Sequence, residues 1–68
     1  MSTVTYFIPN ISCGHCVHTI QNEVGELEGV VTVVANQEAR TATITFGDPA
    51  TEEKIKGLLA EIEYPVAA

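Results

Sequence analysis

Cys13 and Cys16 stand two residues apart in the run Ile11-Ser12-Cys13-Gly14-His15-Cys16-Val17, and they are the chain's two cysteines. Two thiols at that spacing, on a loop that opens into a helix-periodic segment, can cycle as a redox dithiol, supply half of a four-ligand zinc site, or hold a soft thiophilic ion between them. His15 lies between the two and is a candidate third donor, a bridge between two copies of the domain around one metal, or an exposed modulator of thiolate charge. His18, two residues past Cys16, reads as surface. Glu61 and Glu63 read as helix surface, and no pattern suggests general acid–base work, so no catalytic residue is assigned.

The elements that must position these thiols follow from the periodicities. Val4, Tyr6 and Ile8 alternate with Thr3, Thr5 and Phe7, which predicts a strand ending at Pro9-Asn10. Val17, Ile20, Val24 and Leu27 fall at helical spacing and predict a first helix from the cysteine loop to Gly29. Val30 to Ala35 is rich in β-branched residues, Asn36-Gln37-Glu38-Ala39 is a polar turn, and Ala42, Ile44 and Phe46 alternate with Thr41, Thr43 and Thr45, so a hairpin follows, with the threonines on its solvated face. Gly47-Asp48-Pro49 breaks the strand, Asp48 or Thr51 can cap a second helix, and Ile55, Leu58, Leu59 and Ile62 form its buried stripe. Gly57 inside that helix costs about 1 kcal/mol relative to Ala and hints at close packing. Tyr64-Pro65-Val66 supplies a short last strand. The order is β-α-β-β-α-β: an α+β, ferredoxin-like fold with a four-stranded antiparallel sheet and two helices on one face.

That framework narrows the chemistry. Cys16 falls in the first turn of the first helix, where free backbone N–H groups and the dipole favour thiolate, while Cys13 sits on the exposed loop. A closed zinc site wants four ligands, and no second Cys-x-x-Cys or His-x-x-x-His follows. A thioredoxin-like enzyme needs a longer βαβ framework and an aromatic beside the first cysteine, where this chain has Ile11-Ser12 and no tryptophan at all. Cu(I) is soft and is satisfied by two thiolates, and a pair on one loop leaves room for an incoming partner sulfur.

Composition bounds what remains. Sixty-eight residues make one domain near the lower size at which an apolar core outweighs chain entropy. The net charge of −6, nine acidic residues against Arg40, Lys54 and Lys56, argues against nucleic acid and anionic lipid surfaces and suits a partner with a basic contact face. The apolar runs are too short for a spanning helix, no signal-peptide pattern opens the chain, and a cytoplasmic location without membrane insertion is expected.

Ile11-Ser12-Cys13-Gly14-His15-Cys16 followed by a helix, within a β-α-β-β-α-β order, resembles the heavy-metal-associated domain family across essentially the whole chain, residues 1–68 as one domain. The resemblance implies a non-enzymatic metal carrier: a small cytosolic copper chaperone or an N-terminal metal-binding domain of a copper-transporting P-type ATPase. In it Cys13 and Cys16 are the metal ligands, Cu(I) is the cargo, and transfer goes by thiolate exchange to a partner bearing its own Cys-x-x-Cys, such as that ATPase. It also allows copper-bridged homodimers. Relatives that carry Hg(II), Zn(II) or Cd(II) keep those ions open, and a thiol–disulfide redox or sensing module, with Cys13 attacking and Cys16 resolving, is the alternative from another class. The family motif is Gly-Met-Thr/Ser-Cys-x-x-Cys, so Asn10 replaces the Gly and Ile11 the Met. Ile11 then packs beneath the loop as a stiffer hydrophobic tether. Ser12 resembles the copper branch, and Tyr64 matches the position before the last strand where bacterial copper chaperones carry a Tyr that shields or tunes the metal without binding it.

Overall fold

The computed structural model describes residues 1–67 as β1 (Ser2–Phe7), α1 (Gly14–Gly25), β2 (Val30–Asn36), β3 (Thr41–Phe46) and α2 (Glu52–Glu61). The strands form an antiparallel sheet of order β1-β3-β2, with Val4 opposite Ile44 on one side of β3 and Val33 opposite it on the other. Alternation sorts the faces as the sequence predicts: Ala42, Ile44 and Phe46 are buried, while Thr43 and Thr45 sit on the outer face and share hydroxyl hydrogen bonds with Thr5 (3.0 Å) and Thr3 (3.2 Å). Both helices lie on the inner face. Cys16, Ile20 and Val24 of α1 and Ile55 and Leu59 of α2 close one core with Tyr6, Ile8, Ile11 and the inner β3 residues. The seven largest fully buried side chains are five Ile, one Leu and one Val, each worth about 1.5–3 kcal/mol of transfer free energy.

One boundary differs from expectation, one of the two expected caps is used, and one glycine does not pack as its place suggested. The first helix ends at Gly25 rather than Gly29: Glu26 and Leu27 close it by donating to Asn22 and Val24 carbonyls, and Leu27 packs on the core from the turn. Gly29 is needed there, because its φ is +98° and a Cβ would sit 2.5 Å from Gly47 O and 2.6 Å from Ala50 N. The second helix is capped by Thr51, whose Oγ1 accepts the Lys54 N–H at 3.2 Å, and Asp48 stays in the preceding turn. Gly57 does not mark close packing, since a Cβ there meets nothing within 4 Å.

Tyr64-Pro65-Val66 forms no strand, and the C-terminal segment meets the sheet through an isolated bridge at Ala67. Ala67 N–H donates to Phe7 O at 2.9 Å, which places the C-terminal segment against β1 on the side away from β3, the position the four-stranded fold requires. Pairing is that short because Tyr64 spends its N–H on Leu59 O (2.7 Å) and Pro65 has none. Among the described residues no helix is long and apolar enough to cross a membrane.

Candidate metal centre

β1 hands the chain to α1 through a tight turn in which Ile11 N–H donates to Ile8 O at 3.1 Å. Ile8 and Ile11 are both fully buried, so the turn is pinned into the core from below and the next two residues are lifted to the surface. Cys13 is the N-cap of α1, with extended backbone (φ −159°, ψ 173°), and its carbonyl accepts Cys16 N–H (3.1 Å) and Val17 N–H (3.4 Å). Its thiol makes no capping bond and stays available. Cys16 then falls at the third helical position, on the side facing inward.

The two sulfurs are free thiols 3.7 Å apart, with Cys13 exposed and Cys16 buried at 8% exposure. Cys16 is lowered far below an ordinary thiol, to about 6, first through the neighbouring Tyr64 hydroxyl. The Ser12 backbone N–H and hydroxyl act next, with Ser12 Oγ 3.7 Å from the sulfur, and the Cys13 side chain contributes least; burial opposes all of these. The same contact seen from Tyr64 pushes its phenol up to about 12, with burial and the Cys16, Cys13 and Glu63 charges adding. One sulfur is therefore biased toward the thiolate by its surroundings, and the other is a neighbour at the surface.

Tyr64 reaches this position through the end of α2. Glu63 N–H donates to Ala60 O (3.1 Å) and Tyr64 N–H to Leu59 O (2.7 Å), the paired bonds of a Schellman cap, with Glu63 left-handed at φ +70°. Glu63 is thus a cap residue and not helix surface as its spacing suggested. The cap turns the chain back over the cysteine loop, and Asn10 Nδ2 donates to Glu63 O at 3.0 Å across the gap.

The structure thus gathers Ile11, Ser12, Cys13, Cys16 and Tyr64 at one end of the molecule. It does not add His15, which is exposed on the first turn of α1 with its carbonyl accepting from Thr19 Oγ1 (3.0 Å). His18 pairs with Asn22 at 3.0 Å on the helix surface. Among the described residues no three or more His, Cys, Asp or Glu side chains come together to hold a metal. Asn10 was visible in the sequence only as a departure from glycine in a motif; its reach to a residue 53 positions on depends on the α2 cap and has no local signal.

Residues 5–65 match the family model of the heavy-metal-associated domain. The chain is 41% identical over 58 residues to the COP-associated protein of Helicobacter pylori strain J99, covering 85% of this chain and 88% of that protein. It is 34% identical to the copper chaperone CopZ of Bacillus subtilis strain 168, covering 98% of this chain and 99% of that one. Among solved structures, oxidized MerP from Ralstonia metallidurans CH34 superposes with a TM-score of 0.90 at 31% identity, over 97% of this chain and 93% of that one.

Proposed function

This chain belongs to the heavy-metal-associated domain family, and we propose that residues 1–68 act as one copper-carrying domain: Cys13 and Cys16 bind Cu(I) as a bis-thiolate and pass it to a partner bearing its own Cys-x-x-Cys. The observation that carries this reading is the asymmetric thiol pair, one sulfur buried on α1 and the other exposed 3.7 Å away on the loop. A soft monovalent ion is satisfied by two thiolates. The similarity to the copper chaperone CopZ supports copper over other thiophilic ions.

The geometry supports an order of events. A thiolate–metal bond of about 2.3 Å, the scale of a zinc site, puts two sulfurs on opposite sides of one ion about 4.6 Å apart. The 3.7 Å pair must therefore open by roughly 1 Å, and exposed Cys13 is the side that can swing while Cys16 stays under Tyr64 and Ser12. An incoming partner thiolate then meets the ion on the Cys13 side. It forms a new Cu–S bond before the Cys13 bond breaks, and a second partner sulfur displaces Cys16, so copper never leaves thiolate coordination. Each step exchanges one Cu–S bond for another, and nothing is oxidised, reduced or turned over, so the domain is a carrier and not an enzyme. A cytoplasmic carrier of this kind suits a copper-transporting P-type ATPase as acceptor, and the −6 charge favours a basic contact face on it.

The test is a titration of reduced protein with Cu(I) against a chromophoric chelator, alongside Zn(II), Cd(II) and Hg(II), repeated on the Cys13→Ser, Cys16→Ser double variant. One-to-one Cu(I) binding lost in the variant, with delivery to a Cys-x-x-Cys acceptor, is the expected outcome. Cysteine-independent or weak binding would reject it.

A further inference from the structure

We propose that Asn10 is a positioning residue for Tyr64: its side chain ties the cysteine loop to the strap that leaves α2, and so keeps the Tyr64 hydroxyl on the Cys16 side of the site. The strap, Glu63 to Ala67, is held at its start by the α2 cap and at its end by Ala67 N–H on Phe7 O. Neither hold touches the cysteine loop. Asn10 Nδ2 to Glu63 O, 3.0 Å, does touch it, and this bond acts one residue before Tyr64.

Three features make this more than an incidental surface bond. Glu63 is a non-glycine residue at φ +70°, a conformation that costs roughly 1–2 kcal/mol and persists only when its surroundings hold it. Its N–H is already used by the cap, so its carbonyl is the group left to be tied, and an amide is the right donor for it. Asn10 also stands on the loop's own turn, between buried Ile8 and Ile11, so it is a rigid anchor and not a mobile one. A glycine at position 10, as in the family motif, has no donor to offer.

The consequence rests on the copper-carrier reading. With the strap tied down, Tyr64 stays beside buried Cys16, and exposed Cys13 is the open route for exchange. Loosening the tie lets the strap lift and admits competing ligands to Cys16. Asn10→Gly and Asn10→Leu both remove the donor without adding charge, one losing the bulk and the other keeping it. An exposed neutral hydrogen bond changes a local equilibrium by roughly two- to tenfold.

Two measurements test this on the whole chain. In reduced, metal-free protein, both variants should exchange the Tyr64 and Ala67 amide protons roughly two- to tenfold faster than wild type, with the Ile44 amide unchanged. In Cu(I)-loaded protein, capture of the ion by bathocuproine disulfonate should quicken by a similar factor in both variants, and the Asn10 substitutions should add nothing on a Tyr64→Phe background. Unchanged exchange at Tyr64 and Ala67 overturns the tie. An equal effect of the Asn10 substitutions with and without the Tyr64 hydroxyl overturns the positioning role. Wild-type protein that takes up no Cu(I) overturns the carrier reading and the cargo half of this one, while the exchange rates still decide the tie.

Discussion

The Tyr64 hydroxyl, carried on the strap after α2, is the strongest single influence on the Cys16 thiol at the opposite end of the sequence, and Cys16 in turn holds the Tyr64 phenol protonated. This pairing links the C-terminal segment to the first turn of α1. It gives the ionisation of a buried sulfur a dependence on how the chain's last residues are packed.

The contact makes the stability of the reduced, metal-free protein depend on pH. Cys16 falls to about 6 in the folded state from an unfolded value near about 8.5, so the folded state binds fewer protons between these limits and stability rises with pH across them. The contribution is complete above about pH 8.5 and is lost as pH falls through 6. From the other partner, Tyr64 is raised to about 12 from about 10, so its share is present below pH 10 and fades as pH climbs toward 12. Urea unfolding under reducing conditions should show stability climbing from pH 6 to a plateau near 8.5–10. Tyr64→Phe should flatten the climb, and an unchanged slope would show that Tyr64 does not set the Cys16 ionisation.

Much of this site was legible in the chain and part was not, for physical reasons. The thiol pair, the N-terminal placement of Cys16 and the inward stripes of both helices are local: each depends on spacings of two to four residues, which periodicity reports directly. Leu27 has helical spacing with Val24, yet the helix stops at Gly25, because Gly29 packs against Gly47 and Ala50 and draws the chain into a turn. Glu63 continues the polar face of α2 in sequence but leaves it in space, since Tyr64 N–H is taken by Leu59 O. The Asn10 to Glu63 bond joins residues whose proximity is a property of the closed fold alone.

Gly57 lies in the interior of α2, exposed, with open space where a Cβ would point. Gly57→Ala should stabilise the domain by about 0.5–1 kcal/mol, since Ala loses less backbone entropy in a helix. In a chain this short that raises Tm by about 2–8 °C, measured by thermal unfolding with the thiols reduced. No change would place a neighbour at that position.

Gly29 is the opposite case. At φ +98°, with backbone atoms of Gly47 and Ala50 inside 3 Å of a Cβ, neither side can yield without moving the turn that starts α2. Gly29→Ala should cost at least about 2 kcal/mol from backbone strain and displacement together. Urea unfolding should show a lower midpoint with an unchanged slope, and a variant as stable as wild type would mean that the turn is not held as described.

Ile11 links stability to the metal loop. It is fully buried directly before Ser12 and Cys13, so the loop rests on its side chain. Ile11→Ala should cost about 2–5 kcal/mol through the cavity it leaves, and Ile11→Met, which conserves volume, less than about 1.5 kcal/mol. The two substitutions also differ in what they do to the loop. Met has more rotatable bonds than β-branched Ile, so it should fill the same space while letting Cys13 open from 3.7 Å with less resistance. Cu(I) uptake by Ile11→Met should therefore be at least as fast as in wild type, measured by stopped-flow transfer from a chromophoric chelate complex. Slower uptake in a variant that remains folded would mean that the stiffness of Ile11 preorganises the thiol pair for metal rather than restraining it.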